Sequence, residues 1–274
     1  MKIALCFSGQ PRFLNECYDN IHKNLIDGYD VDVYAHGWWD DSYKGKTITW
    51  EATEKYADVD NSELFKQLYS PVSCVFEPQI DFSRNLASYD LSKNKVGLTG
   101  ETANVFVRKS LFVHLSQFYS VMKSHHLQSA SGNKYDLVVR ARTDLLFKEK
   151  IRWELYDPKV LHVADGRPVA GWGPFCDWFA FGDPMVMLHF ANLYNLYPAF
   201  NRDGLIHIHE FVQFALGAQG VNTLTPDVGC YLYRGHQLGE KSKTADQHVQ
   251  EIRSGNLTNV PYFAKGWFGD KNGS

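Results

Sequence analysis

The stretch Tyr135-Asp-Leu-Val-Val-Arg-Ala-Arg-Thr-Asp-Leu-Leu-Phe147 constrains this chain more than any other. Leu137, Val138 and Val139 form an apolar run rich in β-branched residues, behind the turn-rich segment 129–133, which predicts a buried strand over 136–147. On an extended backbone, positions 140, 142 and 144 face one side, so Arg140, Arg142 and Asp144 are expected to converge at its carboxyl end. Open α/β sheets bind ligands at that end. Arginine forks match phosphate oxygens, and a lone Asp beside phosphates suits a hard divalent cation. The same trio also fits an Arg–Asp ion pair that holds a strand end and binds nothing.

Elsewhere the apolar period alternates between strand and helix. Residues 3–7 read as a buried first strand, followed by the turn Ser8-Gly-Gln-Pro-Arg12 and a helix over 13–25. A strand, a glycine-containing loop and a helix can aim backbone N–H groups at an anion; the pattern is also that of an ordinary strand-to-helix turn. A second alternating strand, 30–36, ends at His36-Gly-Trp-Trp-Asp-Asp41, whose tryptophans either stack a base or sugar or plug the loop. Residues 61–69 are expected to form a short helix capped by Asn61 or Ser62, 72–77 a strand, and 78–100 a long polar loop. The strongest helix spans 104–127, with Leu111, Leu115, Phe118 and Met122 on one stripe. Arg108 and Gln117 lie off the centre of that stripe, toward solvent or a ligand cleft.

Beyond the central stretch, strands are expected at 160–163, 178–182 and 221–224, and helices at 185–194, 210–218 and 244–252. Asp177 stands where a Gly-rich loop, 171–177, meets a strand. Glu210 lies in the first turn of a helix, where the macrodipole favours a carboxylate. His207 and His209, two residues apart, make no metal signature. A long helix feeding the central strand gives a βαβ-like order. The expected fold is therefore α/β: a single Rossmann-like domain with a mostly parallel central sheet flanked by helices.

With 274 residues, 44% of them hydrophobic, the chain is long enough to bury one full core. A formal net charge of −3 argues against a broad nucleic-acid surface. The five cysteines, Cys6, Cys17, Cys74, Cys176 and Cys230, are scattered and lack CxxC spacing. Neither a zinc site nor a disulfide framework is expected from them, and a reducing, cytoplasmic compartment is. Residues 1–7 do not read as a signal peptide, and no apolar run approaches the roughly 18 residues of a membrane span.

A first strand running into Ser8-Gly-Gln-Pro-Arg12, a second ending near His36-x-Trp38, the long helix, and a strand carrying Arg140-x-Arg142-x-Asp144-Leu together resemble GT-A-type glycosyltransferases. The nearest resemblance is to the group related to WavE lipopolysaccharide-synthesis proteins and to glycosyltransferases of large DNA viruses and phages. Cys176-Asp-Trp-Phe-Ala-Phe-Gly182 and His209-Glu-Phe211 fall where that group has similar segments, so the resemblance covers most of residues 1–225. It implies a GT-A-like catalytic domain over 1–225, with a nucleotide-sugar half (about 1–147) and an acceptor half (about 148–225), and a C-terminal extension, 226–274, packed on the same domain. The donor would be held by Ser8, Gly9, Gln10, Arg12, His36, Arg108, Arg140 and Arg142, and Mn²⁺ or Mg²⁺ by Asp144 and His236. Glu210, or else Asp177, would take the proton from the hydroxyl of a glycan, polysaccharide or lipopolysaccharide acceptor. Arg142 stands where the family's Asp-x-Asp motif has its first Asp, so Arg140 or Arg142 is expected to supply part of the positive charge that a metal supplies. Two other readings use the same residues: a metal-dependent nucleotidyltransferase or phosphohydrolase, and a nucleotide- or carbohydrate-binding protein without catalysis.

Overall fold

The computed structural model describes residues 1–46, 59–82, 100–165, 175–201, 208–226, 228–233 and 245–254. Strand β1 (Lys2–Gly9) is buried from Ile3 to Ser8. It has parallel partners on both edges, β2 (Asp30–Trp38) and β4 (Leu137–Ala141), which explains its unbroken apolar run. Strand β3 (Ser73–Glu77) extends the parallel set beyond β2. On the far side, β7 (Phe175–Gly182) runs antiparallel to β4 and to β6 (Leu161–Asp165), and β8 (Thr223–Leu224) lies parallel to β6. The order in this seven-stranded sheet is β3-β2-β1-β4-β7-β6-β8. The chain thus steps outward from β1 to β3, then returns to the other side of β1, and the order reverses between β1 and β4.

Alternate residues of each strand serve opposite faces. Ile3, Leu5 and Phe7 pack with Leu14 and Ile21 of α1 (Leu14–Ile21) and Phe65 of α2 (Asn61–Tyr69). Ala4 and Cys6 share the other layer with Leu115 and Phe118 of α3 (Gly100–Ala130). That layer also holds Phe190 of α4 (Pro184–Ala191), Tyr197 of α5 (Leu193–Asn201) and Phe211 of α6 (Ile208–Ala218). The domain is therefore α/β and Rossmann-like, with a mostly parallel sheet between helices, as the periodicity predicts. Asp183 caps α4 through the N–H groups of Met185 and Val186, with Pro184 in the first turn. Among the described residues, no helix is long and apolar enough to cross a membrane.

Two local expectations need correction. Helix α2 is capped by Asp60, whose Oδ1 accepts from the N–H groups of Ser62 and Glu63. Asn61 instead donates to the Pro11 carbonyl at 2.9 Å and pins the loop after β1. The stretch 136–147 is not one strand. Strand β4 ends at Ala141, the chain turns through Arg142–Asp144, and β5 (Leu145–Phe147) leaves the sheet to pair antiparallel with β9 (Cys230–Leu232). The Tyr233 N–H donates to the Asp144 carbonyl at 2.8 Å and fixes that departure. Further on, α7 (Ala245–Ser254) places Val249 in the core, and Arg253 Nε donates to the Lys148 carbonyl.

Candidate functional site

The reversal of strand order puts the crevice of this sheet at the carboxyl ends of β1 and β4. Two loops meet there. Gly9 takes φ +104°, open to glycine and strained for other residues, and its N–H donates to Ser120 Oγ on α3. Phe13, at the mouth of α1, takes φ +49°, a genuine outlier for a bulky residue and the price of so tight a return into the helix. The two loops are stitched together by Thr143, whose Oγ1 accepts from the Arg12 N–H and donates to the Arg12 carbonyl, both at 3.0 Å. Gln10 Oε1 receives the Arg12 guanidinium, Nε at 3.0 Å.

Arg142 and Asp144 form a two-pronged ion pair: Nε to Oδ1 at 2.7 Å and Nη2 to Oδ2 at 2.6 Å. Burial lowers the proton affinity of the Arg142 guanidinium, but the Asp144 charge outweighs that and leaves it above its ordinary value. Asp144 is 1% exposed and the Arg142 side chain 16%, so the carboxylate is inside and the arginine reaches the surface. Arg140 is buried, and burial pushes its guanidinium down to about 10, still charged at neutral pH. It donates through Nη1 to the Trp178 carbonyl, while its Nε has no partner among the described residues. Ser8 Oγ, buried at the end of β1, also lacks one. Buried polar atoms without partners are uncommon in native proteins and need an explanation.

The sequence resemblance implies Mn²⁺ or Mg²⁺ on Asp144. The geometry there does not fit such an ion. A hard cation needs a cage of oxygens, and both oxygens of this carboxylate face a guanidinium whose charge would repel it. His236, the second expected ligand, lies outside the described residues, as does the side chain of Arg108.

A second cluster adjoins the crevice, because antiparallel β7 brings its first residues to the carboxyl end of β4. Asp177 is buried and receives donors from two helices: Gln117 Nε2 on Oδ2, and His209 Nε2 at 3.1 Å from Oδ1. Burial alone would push its carboxyl up; the hydrogen bonds of His209 and Gln117 and the charge of Arg140 outweigh this and hold it well below the usual carboxylate range. His114, one turn before Gln117, bonds Tyr197 Oη through Nδ1 at 2.5 Å, and burial pushes its ring down to about 4.

The structure thus brings Ser8, Gly9, Gln10, Arg12, Arg140, Arg142, Asp144 and Asp177 to one end of the sheet. Glu210 sits in the first turn of α6 and faces solvent; the neighbouring His209 is the residue that turns inward. His36 is buried in the β2–α3 layer, with Nε2 at 2.9 Å from Glu77 and Nδ1 at 3.0 Å from Ser120. Burial lowers its proton affinity below the ordinary value, and its hydrogen bond with Ser120 links it through that hydroxyl to the Gly9 N–H. Trp38 and Trp39 are buried, stacked on Tyr119 and Tyr43, and plug their loop. Gln117 points at Asp177 rather than at solvent. Sequence reasoning missed His114 and Ser120, and it set His209 aside because His207 and His209 make no metal signature. The available signal was Ser116, Ser120 and Ser124 at four-residue spacing, buried small side chains that let α3 lie close on the sheet. No family model matches the chain, and no curated protein matches it.

Proposed function

We propose that the chain transfers a sugar from a nucleotide-sugar donor to a hydroxyl of a glycan, polysaccharide or lipopolysaccharide, as a GT-A-type glycosyltransferase. One observation carries this reading: Ser8 and Arg140, each with a buried polar atom lacking a described partner, lie beside Arg142 where the strand order reverses. Asp144 uses two N–H groups of the Arg142 fork, and the remaining N–H groups suit diphosphate oxygens. When the sugar–phosphate bond breaks, negative charge develops on the departing nucleoside diphosphate. Two fixed guanidinium groups stabilise it there, with Asp144 holding one of them in position. Glu210, open to solvent, is the base for the acceptor hydroxyl. Asp177, wholly buried and engaged, positions its neighbours. The free cysteines support a reducing compartment such as the cytoplasm.

Thermal-shift titrations with UDP, GDP, CMP and dTDP test the donor site. A diphosphate at about 100 times its Kd adds about 2.7 kcal/mol of stability. The expected result is a shift with one base, present without added Mn²⁺ or Mg²⁺ and abolished in Arg142→Ala. No shift with any nucleotide would sink the reading. Tight binding without sugar transfer to any acceptor would leave a binding protein.

A further inference from the structure

The cysteine spacing predicts no zinc site, yet the fold brings three candidate ligands together from a strand and a helix. One ligand atom each of Cys176, Asp177 and His209 lies within 4.8 Å of the other two, and all three residues are buried. We propose that this cluster binds a thiophilic divalent cation of the zinc type. The proposal stands independently of the donor reading.

The ligand chemistry selects the class of ion. Magnesium and manganese favour carboxylate, carbonyl and water oxygens, whereas a thiolate, an imidazole and a carboxylate together suit zinc. The spacing fits as well. Nitrogen and oxygen ligands about 2.0–2.1 Å from a tetrahedral ion stand roughly 3.3 Å apart; His209 Nε2 and Asp177 Oδ1 are 3.1 Å apart. An ion therefore enters between them with a shift of a few tenths of an ångström. The second carboxylate oxygen is already oriented by Gln117 Nε2, and the Trp178 and His209 rings stand nearly perpendicular with their centroids 6.1 Å apart. Such outer partners hold a ligand set in register. A thiolate and a carboxylate together match the charge of a dication; the Arg140 guanidinium, whose charge also reaches Asp177, is directed onto the Trp178 carbonyl. On binding, the Cys176 thiol releases its proton to solvent, and His209 gives up the Nε2 proton that now faces Asp177 and carries its one proton on Nδ1, so that the neutral ring ligates through Nε2. Three protein ligands leave a fourth position on a tetrahedral ion.

The test uses the full chain, purified without chelator and exchanged with Zn²⁺ or Co²⁺ in the absence of nucleotide. The expected result is about one zinc per chain retained through gel filtration. The cobalt form should show thiolate-to-cobalt charge-transfer absorption in the near ultraviolet and the intense visible bands of a tetrahedral centre. Gln117→Ala, which leaves all three ligands in place, should weaken zinc binding about 10- to 100-fold. Cys176→Ser, similar in volume, should weaken it further and abolish the sulfur band. Zinc retained unchanged in Cys176→Ser, or no sulfur band in the wild-type cobalt form, overturns the proposal. Should the serine variant fail to fold, the wild-type cobalt spectrum decides alone. Failure of every nucleotide to bind leaves this result untouched.

Discussion

Asp144 illustrates how one side chain changes meaning between sequence and structure. In the sequence it is a carboxylate at a strand end, equally suited to a cation or a guanidinium. In the structure Arg142 has taken both of its oxygens, so the positive charge beside this carboxylate comes from the chain itself. Asp144→Asn should cost about 1.5–3 kcal/mol, the range for hydrogen bonds to charged groups. It should stay below the 3–5 kcal/mol of breaking a wholly buried pair, because the surface-reaching Arg142 can rehydrate. Urea unfolding at neutral pH measures this as a lower midpoint at unchanged slope. A midpoint equal to wild type would mean that the pair adds nothing to the fold.

At the scale of elements, the close seating of β2 on its neighbours depends on Gly37. A Cβ there would stand 2.5 Å from the Phe76 ring and 3.0 Å from the Gly9 carbonyl. Gly37→Ala should therefore destabilise by about 1–3 kcal/mol, the usual penalty of overpacking. It should also weaken nucleotide binding, because one of the crowded atoms is the carbonyl of Gly9, the residue that ends β1. Asp183→Ala, which removes only the cap of α4, should cost about 1 kcal/mol and leave nucleotide binding unchanged. Calorimetric melts with nucleotide titrations separate the two; equal effects on binding would show that Gly37 does not act through the crevice. The elements were legible where their signal is local: β1, β2 and α3 follow from apolar period alone. The turn at 142–144 was not, because Leu145-Leu-Phe147 prolongs the apolar run while its partner β9 lies far along the chain. The convergence of Arg140, Arg142 and Asp144 was legible in outcome but not in cause, since the turn and the ion pair bring Arg142 to Asp144. The directions of Gln117 and His209 depend on β7, and no pattern within either helix encodes them.

For the whole molecule, the polar groups shut inside the α3 layer set how it responds to acid. Burial pushes His114 and His125 each down to about 4, from an ordinary 6.5. Between those two values the unfolded chain binds protons that the folded chain refuses, so stability is full above pH 6.5 and falls as pH drops toward 4. By pH 4 each ring should have removed about 3 kcal/mol. Asp177 acts lower on the scale. Its carboxyl is held below the ordinary 3.8, so its contribution is complete above that value and fades only as pH falls further. Acid unfolding should therefore begin with the histidines, well before the carboxylate cluster is protonated. Urea midpoints measured at pH 7.5, 6, 5 and 4 should decline steadily below 6.5, and His125→Gln should remove its own share of that decline, leaving the shares of His114 and of His36 and His162, whose rings burial also lowers. His125 is the better ring to replace. It bonds Ser129 Oγ near the end of α3, whereas His114 is tied to Tyr197 beside the Asp177 cluster. Midpoints that stay level from pH 7.5 to 5 would show that the two rings meet acid as exposed histidines do, and that the α3 layer opens to water before the molecule unfolds.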